Sequence, residues 1–418
     1  MPELIPLETA VRTVLEHIEA MPTEAVELLD ATGRVAAADL CSDIDVSAFD
    51  HAAMDGFAMR AAQLDAASEE APVVLQVIAE VGAGSTYEGP IGDDQCVRIM
   101  TGAPVPAGAD AVVKYEIVGV VEGDGKTGSR VSFASPATVG SNIRQAGEEA
   151  KTGELVVAAG EVIKSAGVGF LASCGVTQVS TYKRPRVAII CTGSELVPIE
   201  EVPGPGKIRN SNGIALAACV AEAGGIPSML PIVEDTFEAL EQAIADALPH
   251  FDMVITTGGA ADGDYDFIKP AAAKLGEVYL TAVNMRPGKA QTFAVLDGVP
   301  LFGLPGNPAA AYTGFQMIVR PALRKMQGYT HLQRPSVKAR LACDMKKRDP
   351  RRIYLRATLE VDEQGYVATP AKNQSSGLFG VIQRSDCLAI MPEGLEGKQT
   401  GDIVDCILLD VNEEVVLV

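Results

Sequence analysis

The chain has 418 residues, 47% of them hydrophobic, with a formal net charge of −21. That length exceeds one ordinary core, and the composition is that of a folded chain rather than a disordered one. The negative charge, the absence of Trp and an aromatic content of 5% argue against a nucleic-acid strand or an anionic membrane as partner. The eight cysteines are scattered with no Cys-x-x-Cys pair, and the four histidines, His51 among them, show no ligand spacing. A structural zinc or iron–sulfur site is therefore poorly supported, and the cysteines read as small buried hydrophobes of a reducing compartment. No apolar stretch reaches membrane-spanning length and Met1–Leu7 carries no signal core, so a cytoplasmic protein is expected.

Apolar residues at helical spacing predict a helix over Leu7–Ala20 and, more weakly, a second over Glu27–Ala38. From Pro72 the runs Val73–Ile78, Cys96–Met100, Ala111–Glu116 and Arg130–Phe133 are separated by Gly and Pro. They predict a small β domain, with Thr101–Pro106 as a loop directly after a strand. A helix over Glu161–Leu171 is expected to pack against the N-terminal helices, which makes the β domain an insertion into a helical one. From Arg186 to Met326 the order β, α, β, α, β, β, β, α predicts a three-layer α/β domain with a largely parallel sheet. Its strands are Val187–Cys191, Met229–Val233, Val254–Thr257, Gln291–Leu296 and Pro300–Gly303. Its helices are Ser211–Ala223, ended by Gly224, then Thr236–Leu248 and Pro308–Met326. Asp235 is the expected N-cap of the second, in an approximate capping box with Glu238. After His331 only strands are expected, in a small C-terminal β-barrel or sandwich.

The stretch Thr256–Pro308 gathers the loops that follow these strands, where open α/β sheets bind ligands. Gly258-Gly259 permits close approach to the backbone. In Leu304-Pro305-Gly306-Asn307-Pro308, Asn307 can cap a helix and Pro308 suits its first position, so free N–H groups would face an anion. Lys289, after Pro287-Gly288, is a candidate phosphate or carboxylate contact. Glu195 follows the first strand and can bind metal or act as a base. Asp235 is explained by its capping role, yet it falls near the same crevice. Asp262, Asp264 and Asp266 share one loop, and such acids are often merely solvated. The set suits a phosphorylated ligand held with Mg²⁺, which takes oxygen ligands and keeps waters.

Several blocks together resemble the molybdopterin molybdenumtransferase family, of the MoeA and gephyrin E-domain type. They are Ala53-Met54-Asp55-Gly56-Phe57-Ala58, Arg98–Pro106, Asn142-Ile143-Arg144, Thr192-Gly193, Glu195-Leu196, Gly258-Gly259, Pro287-Gly288-Lys289 and Leu304–Pro308. They run in the family's order over nearly the whole chain. The resemblance implies an elongated helical dimerisation domain (1–46 and 146–181), an inserted β domain (47–145), a molybdopterin-binding α/β domain (182–330) and a C-terminal β-barrel (331–418). It implies a homodimer in which Asp55 and Thr101 of one subunit complete the crevice of the other. The implied reaction takes adenylylated molybdopterin and molybdate, cleaves the adenylate with Mg²⁺, and releases AMP. Glu195, Asp235 and Asp266 would hold the metal. Gly258, Gly259, Lys289, Gly306 and Asn307 would hold anionic groups, and Pro305 and Pro308 would shape a molybdate pocket. The protein that adenylylates molybdopterin, and molybdoenzymes, are implied partners.

The chain departs from the family pattern at four places. Ser194 stands where an Asp usually precedes the Glu, and Glu149 where an Asp follows Arg144. Arg209 lies in an altered turn, Ile208–Asn212, and the loop 260–266 differs. These departures support an alternative reading as a non-catalytic carrier or chaperone of the cofactor. A scaffold reading rests on fold analogy alone.

Overall fold

The computed structural model describes residues 4–258 and 267–409. The chain divides into two compact units, residues 25–181 and residues 1–24 joined with 182–418.

The first unit is built on a six-stranded sheet in the order Ala111–Lys114, Gly56–Met59, Gln95–Ile99, Val73–Val81, Arg130–Phe133, Gly119–Glu122. Alternation along its strands feeds two cores. Phe57, Met59, Leu75 and Phe133 fill one face, and Ala58, Val81, Val97 and Ile99 the other. Gly56 begins its strand because a Cβ there would lie 2.1 Å from the Val113 carbonyl oxygen. The predicted helix over Glu27–Ala38 does not form. Strand Thr23–Glu27 is followed by a single 3₁₀ turn, Leu28–Ala31, and Gly33 then turns with φ +77°. The backbone N–H groups here bond across the fold, Leu28 to Thr177 and Ala36 to Glu161, instead of along a helix. The later helix spans Ser165–Ser173.

In the second unit a six-stranded sheet runs Ile226–Met229, Arg186–Cys191, Met253–Thr257, Val299–Leu304, Ala290–Leu296, Glu277–Ala282. The first four are parallel and the last two antiparallel. Successive side chains of each strand face opposite layers. Val187, Ile189, Met253 and Ile255 join the core under helix Ser211–Glu222, while Ala188, Ile190 and Val254 join the one under Phe237–Ala247 and Ile268–Leu275. This is the expected three-layer α/β domain. Its strand next to Arg186–Cys191 lies at Ile226–Met229, earlier than the predicted Met229–Val233. Helix Leu7–Glu16 buries Leu7, Ala10, Val11 and Val14 in the first of these cores.

The predicted helix Pro308–Met326 is Pro308–Gly314 and Arg320–Met326 joined by a π turn at Phe315–Val319. Beyond it, strands Ser336–Leu341, Arg352–Asp362, Gly365–Pro370, Cys387–Met391 and Ile403–Leu408 close into a barrel through a pairing of Arg352–Asp362 with Cys387–Met391. A short helix, Phe379–Gln383, interrupts what was expected to be all strand. The two-residue strand Met285–Arg286 runs parallel to Arg352–Asp362 and ties the α/β domain to the barrel. All the cysteines except Cys41 and Cys343 are buried. Among the described residues no helix is long and apolar enough to cross a membrane.

Candidate functional site

Loops from the carboxyl ends of the parallel strands meet along one edge of the α/β sheet. Thr192 follows Arg186–Cys191, Gly258 follows Met253–Thr257, and Pro305 follows Val299–Leu304. Gly258 has φ +96°, and a Cβ on it would lie 2.0 Å from the Thr192 carbonyl oxygen. Only glycine lets these two loops approach so closely. Asn212, in the first turn of helix Ser211–Glu222, donates Nδ2 to Thr257 Oγ1 at 3.1 Å and to the Gly306 carbonyl at 2.8 Å. Thr257 Oγ1 donates onward to the Pro305 carbonyl at 3.1 Å.

Two expectations are corrected here. The first concerns helix Phe237–Ala247, whose cap is Thr236 and not Asp235. Thr236 Oγ1 accepts from the Ala239 N–H at 3.3 Å. Asp235 is thereby left without the local role that would explain it. Its Oδ1 is buried and has no hydrogen-bond partner among the described residues. Burial raises its pKa, and the charge of Glu195 raises it further.

The second concerns the helix that starts at Pro308. Asn307 occupies the cap position but its side chain makes no capping bond. Pro308 has no N–H, the Ala309 N–H donates to the Ser376 carbonyl, and those of Ala310 and Ala311 donate to the Asn307 carbonyl. The expected free N–H groups at this helix start are already used. At the helix itself, Ala309, Ala310 and Ala311 therefore offer no donor to an anion.

The side chains of this edge line a crevice of about 1410 Å³ between the α/β domain and the barrel. On the α/β side it presents Glu195, Arg209, Asp235, Gly258, Lys289 and the turn Pro305–Pro308; on the barrel side it presents Lys346, Arg348, Arg351 and Arg356. Arg356 is 2% exposed and donates Nη2 to the Ser375 carbonyl, while its buried Nε has no partner among the described residues. Burial, and then the nearby charge of Arg286, lower its pKa. The crevice thus has an acidic pair on its α/β side and cations on both sides, most of them on the barrel. In a chain of net charge −21, this is the local positive field an anionic ligand needs.

The chain matches three family descriptions in order. "MoeA N-terminal region (domain I and II)" covers residues 5–175, "Probable molybdopterin binding domain" 188–325, and "MoeA C-terminal region (domain IV)" 338–409. The molybdopterin molybdenumtransferase of Staphylococcus aureus (strain COL) is 36% identical over 407 residues, 97% of this chain and 96% of that protein. That of Staphylococcus epidermidis (strain ATCC 12228 / FDA PCI 1200) is 36% identical over 414 residues, 98% and 97% of the two chains. The crystal structure of a molybdopterin biosynthesis MoeA protein from Pyrococcus horikoshii superimposes with a TM-score of 0.81. It is 32% identical and covers 97% of this chain and 99% of that one. The chain belongs to the MoeA family.

Against that family frame, Glu195, Arg209, Asp235, Gly258, Lys289, Pro305, Gly306, Asn307 and Pro308 all border one crevice. Ser194 stands beside it, its carbonyl accepting from Lys207 Nζ at 2.5 Å. Arg209 donates Nε to the Glu201 carbonyl at 3.0 Å. Gly259, Asp262, Asp264 and Asp266 lie outside the described residues. Asp55 and Thr101 belong to the other compact unit, where Asp55 Oδ1 accepts from both the N–H and Oγ1 of Thr101 at 2.7 Å. Sequence reasoning missed the barrel's cations. Their signal was present as Asp344-Met345-Lys346-Lys347-Arg348-Asp349-Pro350-Arg351-Arg352, a basic run in an acidic chain.

Magnesium suits the acidic wall. A buried carboxylate oxygen with no partner, next to a second carboxylate, is an incomplete oxygen ligand set of the kind a hard cation completes with waters. Among the described residues no group of three His, Cys, Asp or Glu clusters for a metal, so the described set is the pair Glu195 and Asp235.

Proposed function

We propose that the protein transfers molybdenum to molybdopterin. It takes adenylylated molybdopterin and molybdate, cleaves the phosphoanhydride, and releases AMP and molybdenum-loaded cofactor. The observation that carries this reading is the crevice itself, which is lined by Asp235, whose buried Oδ1 has no partner among the described residues, and Glu195 together with Arg286, Lys289, Arg351 and Arg356. A ligand with a phosphoanhydride and an oxyanion needs both kinds of wall.

Glu195 and Asp235, with Asp266, would hold Mg²⁺ and orient water at the phosphoanhydride. Bound there, the metal draws charge from the phosphate oxygens. Lys289 and the arginines hold the phosphates and molybdate by charge-assisted hydrogen bonds. Pro305 and Pro308 stiffen the turn against which the small oxyanion rests. We further propose a cytoplasmic homodimer in which Asp55 and Thr101 of one subunit reach the ligand in the other's crevice. The molybdopterin-adenylylating protein and molybdoenzymes would deliver substrate and receive product.

The test is AMP release from adenylylated molybdopterin with Mg²⁺ and molybdate. Release that depends on molybdate and is lost in Glu195→Ala supports the transferase. Tight binding with no AMP released would make the protein a carrier, with Ser194 in place of the family's Asp as the first suspect.

A further inference from the structure

One carboxylate that stays out of the crevice lining organises its basic wall. Asp349 lies in the barrel's basic run, between Arg348 and Arg351. Its Oδ1 accepts from the Arg351 backbone N–H at 3.0 Å and from Arg351 Nε at 2.9 Å. Its Oδ2 accepts from Arg351 Nη2 at 2.5 Å and from Arg286 Nη1 at 3.1 Å. Arg351 Nη1 reaches back to the Met285 carbonyl at 3.4 Å. One side chain therefore grips two arginines, one from each domain that borders the crevice.

The backbone brings the two arginines together, and Asp349 fixes their ends. Strand Met285–Arg286 pairs with the start of Arg352–Asp362, setting Met285 opposite Arg352 and Arg286 opposite Ile353. That pairing fixes Cα positions but not guanidinium positions. The Arg286 side chain is 55% exposed and has solvent to swing into, whereas Asp349 is 12% exposed. Arg356 stands close enough for its charge to be disfavoured by Arg286. Like charges so placed repel, and a long side chain relieves repulsion by moving outward. Asp349 opposes that movement with paired, planar contacts, which suit guanidinium geometry. Ion pairs as exposed as that of Asp349 with Arg286, whose side chain is 55% exposed, contribute little to folding. Their effect belongs instead to the order of the wall they hold.

We propose that Asp349 is a positioning residue that holds Arg286 and Arg351 as a two-arginine fork facing the crevice, ready for an anionic group of the substrate. The identity of that anion rests on the transferase reading; the fork does not. A preformed fork binds without first paying to order two flexible side chains.

Charge and geometry predict opposite signs for one variant. Asp349→Asn adds a unit of positive charge to the wall and removes the grip. If Asp349 positions, the variant binds anions more weakly despite its added charge. The measurements are calorimetric titrations with molybdate and with AMP, the KM for adenylylated molybdopterin, and the melting temperature, for wild type, Asp349→Asn and Asp349→Glu. The expected result is a rise of roughly tenfold in KM, and in Kd for at least one of the two probes. The expected change in kcat is small, the melting temperature holds, and Glu restores most of the affinity. Equal or tighter binding in Asp349→Asn overturns the proposal. So does a loss that tracks a falling melting temperature and that Glu leaves unrepaired, and so does a wild type that binds neither probe. If the wild type releases no AMP yet Asp349→Asn weakens molybdate or AMP binding, the transferase reading fails and the fork stands. If the wild type turns over and neither KM nor Kd moves, the fork fails and the transferase stands.

Discussion

Asn212 donates Nδ2 to the Gly306 carbonyl at 2.8 Å, so the first turn of one helix holds the loop that starts another. The same amide donates to Thr257 Oγ1. Three crevice loops thus share one side chain that is not a candidate ligand contact. Asn212→Ala removes both bonds and leaves the Pro305-Gly306 turn free to shift against Gly258. A displacement of about 1 Å at a positioned ligand is costly in rate. The expected outcome is a fall in kcat/KM of about tenfold or more, with a small loss of melting temperature. Asn212→Asp should not rescue it, because a carboxylate cannot donate to the two acceptors. Full activity in either variant would show that the turn holds its place without Asn212.

How far this site was legible follows from the same residues. The buried strands were visible because apolar runs end in glycine and proline, and Gly258 was visible because its loop demands a left-handed residue. The helix over Glu27–Ala38 was misread because its apolar spacing is weak and Gly33 turns the chain away. Asp235 was misread by one position. Asp and Thr are both good caps, and only the fold decides which of two neighbours turns inward. The cations at Arg351 and Arg356 were hidden because their place at the crevice depends on a strand pairing between distant segments, Met285–Arg286 with Arg352–Asp362.

Thr236 and Asp235 should separate stability from activity. Thr236→Ala removes the cap bond and should cost about 1 kcal/mol, seen as a lower melting temperature with kcat nearly unchanged. Asp235→Asn removes a charge that burial and Glu195 both disfavour. Its melting temperature should hold or rise, while AMP release falls roughly a hundredfold or more. Thermal melts and AMP assays on both variants check this. A stability loss in Asp235→Asn would return the capping role to Asp235.

Gly258→Ala tests the close approach of two loops. The new Cβ meets the Thr192 carbonyl, and φ +96° is strained for any L side chain. Strain of this kind costs about 1–3 kcal/mol before any clash is counted. The expected variant folds, melts several degrees lower, and loses ligand affinity because Thr192, which borders the crevice, must move. Calorimetry with the adenylylated ligand and a thermal melt would measure this, and unchanged values would mean the loops separate without consequence.

Asp55 and Thr101 allow a test by pH. The Thr101 N–H is the larger cause of the low Asp55 pKa, and the Thr101 hydroxyl is the second. A depressed carboxylate pKa adds stability above the unfolded value, about 3.9, and that stability is lost as pH falls through the folded value. Thr101→Val removes the hydroxyl and keeps the N–H. The Asp55 pKa should therefore rise part of the way toward its ordinary value, which NMR titration of the aspartate carboxylates would detect. Asp55 stays ionised above about pH 5 in both proteins. The pH profile of kcat/KM above that point should keep its shape, and any fall in its level measures the loss of the Thr101 hydroxyl at the ligand. An unmoved Asp55 pKa would mean that the hydroxyl bond contributes nothing in solution.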